Sequence, residues 1–211
     1  LMQDNKALQA GTSHMLGQNF ARQFDLKFQT QDGGEEYAWN TSWGVSTRLI
    51  GGMVMTHGDD TGLVLPPRLA PYQVVIVPIF RKEEERTVVL EKADRYVEAL
   101  RQRGIRVHLD TRENMTPGAK FYEWERKGVP IRIELGPRDV AKEQMVVVRR
   151  FAVGDEARKE FLGEDVGLET MMERLEDIQQ AMLRAARQRR EDNSHRGIED
   201  YDRFREIIEG P

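Results

Sequence analysis

Two short segments hold most of the side chains able to meet a small ligand. Leu8-Gln-Ala-Gly-Thr-Ser-His14 sets the Gln9 amide, the Thr12 and Ser13 hydroxyls and the His14 imidazole around a glycine. Glycine lets a backbone approach a ligand closely while its neighbours offer hydrogen bonds. The same residues also read as a polar surface turn ahead of a helix. Asn40-Thr-Ser-Trp-Gly-Val-Ser-Thr-Arg48 is similar in kind. It combines hydroxyls, a large aromatic, a glycine and an arginine whose planar fork suits phosphate oxygens. Trp43 by itself reads as a core residue rather than a ligand wall.

From Tyr72 onward, strand and helix patterns alternate. Gln73 to Ile79 is a short β-branched run, as in a strand buried on both faces. A helix over about 83–103 aligns Val89, Ala93, Tyr96, Val97 and Leu100 on one face, and Gly104 stops it. Ile105, Val107 and Leu109 alternate with Arg106, His108 and Asp110 as a strand does. Thr116 and Pro117 provide the cap and first position of a second helix, which ends at Gly128 before Pro130. Ile131, Ile133 and Leu135 make a third strand and Met145 to Val148 a fourth. A last helix over about 167–190 aligns Leu168, Met171, Met172, Leu175, Ile178 and Met182. The order βαβαββα predicts an α/β layer structure with a mixed sheet.

Residues 1–71 read differently, with glycine-rich and tryptophan-rich stretches. The spacing of Leu49, Ile50, Met53 and Val54 predicts a helix over 46–56 despite Gly51 and Gly52, and Gly62 to Leu65 resembles a short core strand. A domain boundary is expected near Pro71. Residues 186–206 are highly charged and read as a linker, followed by a short helix through Tyr201, Phe204, Ile207 and Ile208.

The chain's 211 residues suffice for one large or two modest domains. Hydrophobic residues at 39% and charged residues at 32% read as a soluble globular protein. No apolar run is long enough to span a bilayer, and the start carries no signal peptide. Zero cysteines leave no disulfide framework and no thiolate metal site in these residues, which fits a cytoplasmic location. Both ends are expected to be cut, since position 1 is Leu and the chain closes on Glu209-Gly-Pro211. The net charge of −4 conceals one basic stretch: residues 101–150 hold 12 basic and 7 acidic side chains. That stretch is a modest footprint for a polyanion or simply an uneven surface.

Taken together the strings are specific. Leu8-Gln-Ala-Gly-Thr-Ser-His14, Thr41-Ser-Trp-Gly44, Thr56-His-Gly-Asp-Asp60, Gly62-Leu-Val-Leu-Pro-Pro-Arg-Leu-Ala-Pro71, Lys127-Gly-Val-Pro-Ile131 and Glu134-Leu-Gly-Pro-Arg-Asp139 occur in one order along nearly the whole chain. In these strings the chain resembles the class II prolyl-tRNA synthetases of the archaeal and eukaryotic type. The resemblance implies an α/β fold in three parts. Residues 1–71 would be the tail of the antiparallel-sheet catalytic domain, including the motif 3 region. Residues 72–165 would be an α/β/α anticodon-binding domain with a mixed sheet, and 166–211 the helical start of a C-terminal extension.

The resemblance also implies roles. Gln9, Ser46, Thr47 and Arg48 match the ATP site, where ATP binds with Mg2+, and Arg48 matches the motif 3 arginine that steadies the triphosphate. His14 matches a proline-pocket residue, with Thr12, Ser42, Trp43 and Gly44 as further pocket wall. Arg68 reads as a structural residue at the domain junction. Proline anticodons carry guanine at their second and third positions, and guanine meets arginine or lysine on one edge and a carboxylate on another. Arg112, Glu113, Lys120, Glu123 and Lys127 would supply that set, with Phe121 or Trp124 either stacking on a base or filling the core. The implied partners are tRNA(Pro), L-proline and ATP, with a homodimer for the full-length enzyme and no membrane. The family's motifs 1 and 2 and its cysteine zinc site are not found, so the chain alone is expected to be inactive and to hold no zinc. A second reading stays open: a non-catalytic RNA-binding or accessory paralogue of a class II synthetase.

Overall fold

The computed structural model describes residues 1–152 and 158–209, so the closing Gly210-Pro211 lies outside the described residues. The chain separates into two compact units, residues 2–56 and 57–211. Residues 57–71, grouped by the sequence reading with the first domain, thus belong in space to the second unit.

The first unit runs β1 (Thr12–Gly17), α1 (Asn19–Gln23), β2 (Lys27–Gln29), β3 (Glu35–Tyr37), β4 (Asn40–Gly44) and α2 (Arg48–His57). β1 pairs antiparallel with β4, and β2 with β3, as two separate two-stranded ribbons. α2 starts at Arg48 and continues through both internal glycines, as the apolar spacing predicts. Burial is sparse: Met2 and Ala21 are the hydrophobic side chains of this unit that reach it, and Trp43 is 76% exposed.

The second unit runs β5 (Val74–Pro78), α3 (Glu83–Gln102), β6 (Val107–Leu109), α4 (Pro117–Arg126), β7 (Ile131–Leu135), α5 (Pro137–Ala141), β8 (Gln144–Arg149), β9 (Lys159–Gly163), α6 (Glu164–Glu169), α7 (Met171–Asp192) and α8 (Tyr201–Glu209). Its five-stranded sheet has the order β6-β5-β7-β8-β9. β6, β5 and β7 are parallel, while β8 and β9 are antiparallel additions. The architecture is therefore the mixed α/β expected from the strand and helix alternation.

Alternation within the strands decides which layer each side chain joins. Val74, Ile76, Ile131, Ile133, Leu135, Met145 and Val147 form a core with Tyr96 and Leu100 of α3 and Met171, Leu175, Ile178 and Met182 of α7. Val75 and Val77 point to the opposite face, where Trp124 of α4 and Val129 cover them. Burying one such aliphatic side chain stabilises the fold by about 1.5–3 kcal/mol. Thr116 caps α4 as expected, its hydroxyl accepting from the Ala119 N–H at 3.3 Å with Pro117 at the first helical position.

The structure departs from the periodicity reading in several places, among them the start of the linker expected over 186–206, which is helical to Asp192. α5 was not anticipated, because a five-residue helix set by Pro137 and by the Asp139 carboxylate accepting from the Gly136 N–H at 3.0 Å is too short to show a period. β9 is a second addition, hidden by its charged outer residues. The helix expected over 167–190 is two helices, α6 and α7, broken at Thr170, whose hydroxyl donates to the Val166 carbonyl. Gly62 to Leu65 is not a regular strand, although the N–H groups of Leu63 and Leu65 donate to the carbonyls of Arg126 and Gly128.

That connection clamps residues 57–71 to the end of α4. A Cβ at Gly62 would lie 2.5 Å from the Arg126 carbonyl oxygen, and one at Gly128 would lie 2.5 Å from that of Leu63. Both glycines also have positive φ, so other residues are excluded by sterics twice over. Arg150 adds a bidentate ion pair to Asp59, at 2.7 Å through Nη1, while its Nε donates to the Glu125 carbonyl. The Arg106 guanidinium donates to the carbonyls of Pro67 and Ala70. Arg68 pairs with Glu176 of α7 at 2.9 Å.

Candidate functional site

In the first unit, the β1–β4 register sorts the candidate residues. Thr12 lies opposite Gly44, Ser13 opposite Trp43 and His14 opposite Ser42. Directly paired residues share a sheet face, so Thr12, His14, Ser42 and Gly44 stand together while Trp43 stands with Ser13 on the other side. The five residues proposed for one proline pocket are therefore divided between two faces. His14, Ser42 and Trp43 are all exposed.

A cavity of about 230 Å3 opens beside that ribbon, lined by Gln9, Gly11, Thr12, Gly44, Ser46 and Arg48 among others. The Arg48 Nη1 donates to Gln9 Oε1 at 3.4 Å, across 39 residues of sequence, and the Arg48 N–H reaches Ser46 Oγ at 3.4 Å. Three of the four residues expected at an ATP site, Gln9, Ser46 and Arg48, thus converge on one solvent-open space. Thr47 does not line it; its carbonyl accepts from the Ile50 N–H at the start of α2. An amide and a guanidinium at the rim of such a cavity can hold phosphate oxygens.

In the second unit, the residues around α4 are largely engaged with each other. Asp110, at the end of β6, is fully buried. Arg112 donates to it through Nε at 2.9 Å and Nη2 at 2.7 Å, and the Trp124 indole donates at 2.8 Å. Lys120 is buried too, its Nζ donating to the Asp110 carbonyl at 3.0 Å. Burial works to raise the Asp110 carboxyl pKa, yet the Arg112 and Trp124 hydrogen bonds and the Lys120 charge outweigh it and hold the group well below the usual carboxylate range. Glu123 receives both Lys127 and Arg112, which lower its pKa in that order. Glu113 pairs with Arg86 of α3 at 2.7 Å. Arg112, Glu113 and Lys120 also line a cavity of about 380 Å3 with Phe80, Arg86 and Met115. Lys127 and Glu123 are not among its lining residues. Trp124 fills the core, its ring 4.7 Å from the Lys127 ammonium, and Phe121 packs partly buried beside it.

The sequence reading passed over a different group. Arg132 and Glu134 alternate with the buried Ile131, Ile133 and Leu135 of β7, and therefore face the α4 side of the sheet. α4 covers that face over β5. Over β7, β8 and β9 the paired rows Arg132–Val148–Lys159 and Glu134–Val146–Phe161 follow. Arg132 donates to Glu134 Oε1 at 2.9 Å, and its guanidinium carbon lies 4.5 Å from the Phe121 ring centroid. Close by, a small cavity of about 50 Å3 is bordered by Arg132, Arg149, Arg150 and Arg158. Glu125 lines it too, and Arg132, Arg149 and Arg150 are already paired with Glu134, Glu160 and Asp59. The strand alternation that identified Ile131, Ile133 and Leu135 as core already placed Arg132 and Glu134 on the other face.

Among the described residues, no helix is long and apolar enough to cross a membrane. Residues 73–178 match the family model described as "Anticodon binding domain". Similar curated proteins are the proline–tRNA ligase of Salinibacter ruber, 51% identical over 208 residues, and that of a Roseiflexus species, 51% identical over 209 residues. The proline–tRNA ligase of Natranaerobius thermophilus is 50% identical over 209 residues. Each alignment takes in 99% of this chain but 41%, 43% and 42% of the relative, so the chain spans about two fifths of the length of the proteins it matches.

Proposed function

Since this chain belongs to the anticodon-binding-domain family and is alignable with proline–tRNA ligases along nearly its whole length, we propose that its protein is a proline–tRNA ligase. It activates L-proline with ATP and Mg2+, transfers the prolyl group to tRNA(Pro), and acts in the cytoplasm as a homodimer. Residues 1–71 contribute part of the ATP and proline site, 72–165 read the anticodon, and 166–211 begin a C-terminal extension.

Adenylation needs a cation where negative charge gathers on phosphate oxygens, and the convergence of Arg48 with Gln9 and Ser46 on one open cavity supports that role. Ser46 and Thr47 order the turn from which Arg48 projects. His14, Thr12, Ser42 and Gly44 form one wall of the proline subsite, with Trp43 belonging to the opposite face of the ribbon. In the complete ligase, Arg48→Ala lowers the rate of proline-dependent pyrophosphate exchange while leaving the melting temperature unchanged. Unchanged exchange kinetics would return Arg48 to a structural role.

The observation that carries the anticodon reading is the contact of an aromatic, a guanidinium and a carboxylate on one sheet face: Phe121, Arg132 and Glu134. An aromatic ring and a guanidinium can stack on a guanine and meet its O6/N7 edge, while Glu134 holds Arg132 in place. The α4 set acts beside it. Arg112, Glu123 and Lys127 brace the helix through their mutual pairs, Arg112 and Lys120 hold the buried Asp110, and half-exposed Lys127 supplies charge toward phosphates. Glu113 lines the neighbouring cavity. Binding of an anticodon stem-loop and its guanine-to-adenine variants, at fixed salt, separates the two groups. Arg132→Ala should relax the guanine preference at a cost of about 1–3 kcal/mol, whereas Lys127→Ala weakens all sequences alike. Loss of base preference in Glu123→Ala with Arg132→Ala unaffected would move guanine reading onto α4.

A further inference from the structure

We propose that Phe161, steadied by Lys159, forms a stacking subsite for a nucleobase next to the guanine pair. The inference rests on the anticodon reading above and extends its surface to the outer edge of the sheet.

β9 is the last strand of the sheet, and its residues alternate between two environments. Leu162 turns to the core, packing against the cluster that holds Met145 and Met171. Phe161 turns the other way, opposite Val146, and is 65% exposed. A single exposed phenylalanine is common on protein surfaces and by itself indicates nothing. Here the ring ends an ordered row. Glu134 is almost wholly buried and gives one oxygen to Arg132 at 2.9 Å and the other to Lys159 at 2.7 Å. Arg132 lies 4.5 Å from the Phe121 ring centroid, and the Lys159 ammonium 5.9 Å from that of Phe161. The sequence of groups across the face is aromatic, cation, carboxylate, cation, aromatic.

This arrangement has the chemistry of a single-strand platform. The shared carboxylate holds both cations in place, so Arg132 can meet the guanine and half-exposed Lys159 an RNA phosphate without a large ordering cost. The two rings offer π surfaces at either end, and single-stranded RNA is commonly bound with its bases splayed onto such rings. β7 and β9 are two strand spacings apart, roughly 10 Å, which places Phe161 beyond the base held at Arg132 and within reach of a neighbouring nucleotide. A phenyl ring has no hydrogen-bonding group, so the subsite accepts any base through its flat face and adds affinity rather than sequence choice.

The test uses the 211-residue chain and a fluorescent stem-loop carrying a proline anticodon, read by anisotropy at fixed salt. Phe161→Ala should weaken binding by about fivefold or more, and Phe161→Tyr, which keeps the ring, should stay within about twofold of the parent. Making one of the two nucleotides flanking the guanine pair abasic should weaken the parent protein by a similar factor and abolish the effect of Phe161→Ala, as a double-mutant cycle requires for a direct contact. If Phe161→Ala binds as tightly as the parent while Arg132→Ala is impaired, the subsite is refuted and the anticodon reading stands. A Phe161→Ala loss that persists on every abasic RNA likewise overturns the subsite, since the ring would then be acting through packing. If neither variant changes binding, the anticodon reading itself fails, and the subsite with it.

Discussion

In residues 2–56 the side chains suited to a ligand stand on thin ribbons with little buried behind them, and they make few bonds to one another. Arg48 has a 3.4 Å contact to Gln9 and otherwise faces an open cavity. In residues 57–211 the same residue types sit over a continuous core and are largely consumed in internal pairs. Arg112 alone makes three side-chain bonds, two to Asp110 and one to Glu123. The contrast separates two uses of charge. A guanidinium without a protein carboxylate at hand is available for a phosphate, whereas one already paired with a buried aspartate contributes chiefly to the fold. Arg132 and Lys159 are an intermediate case, since both are paired to Glu134 yet flank aromatic rings on the face proposed to meet RNA.

Substitutions can break this contrast, and the largest effect is expected at Asp110. Asp110→Ala leaves the Lys120 ammonium buried beside a lost partner and frees Arg112 and Trp124 of their acceptor. The 211-residue chain should lose about 3–5 kcal/mol in urea denaturation. A loss below about 1 kcal/mol would show that the α4 network is not structural.

Arg150→Ala should cost less, about 2 kcal/mol, by removing the charge-assisted bonds to Asp59 and to the Glu125 carbonyl. Native-state hydrogen exchange should locate the change at residues 57–65 and the end of α4. Faster exchange elsewhere, with those residues unaffected, would contradict the clamp.

Acid should act in the same unit more gradually. Arg150 hydrogen bonding lowers the Asp59 pKa, and Arg112 and Trp124 bonding lowers that of Asp110 against its burial, both from 3.8. A carboxylate with a depressed folded pKa contributes stability that is fully present above its unfolded value and is lost as pH falls through the folded one. Melting temperature should thus be insensitive to these groups above about pH 5 and fall below pH 4. Asp110→Asn should flatten the acid limb, and an unchanged limb would remove Asp110 as its source.

The smallest effect is expected in the first unit. Arg48→Ala should change stability by less than about 0.5 kcal/mol, since an exposed side chain with one long hydrogen bond leaves nothing buried and unpaired. A loss comparable to that of Arg150→Ala would erase the contrast between the two units.

Much of this was readable from residue order. The rare strings through Leu8–His14 and Gly62–Pro71 pointed to the family, the apolar runs identified β5 and β8 because buried strands need continuous apolar residues, and alternation identified β7. Thr116-Pro117 and Gly128 marked the limits of α4 because caps and left-handed turns are local requirements of the backbone. The resemblance implies an ATP site of Gln9, Ser46, Thr47 and Arg48, of which Gln9, Ser46 and Arg48 line one cavity and Thr47 does not. The short α5 escaped because five residues carry too few turns to show a period, and β9 because the adjacent charges of Lys159 and Glu160 break its apolar alternation.

The tertiary structure decided what depends on pairing across distance. Register alone divided Trp43 from His14, since a shift of one residue moves a side chain to the opposite face. Whether Arg112 or Arg132 borders a ligand depended on which carboxylates the fold brought near, across intervals that no local pattern encodes. Order along the chain determined which segments become strands and helices, because those rules act between near neighbours. Packing between segments determined which charges are spent on the fold and which remain to meet a ligand, because that is set by distances between residues far apart in the chain.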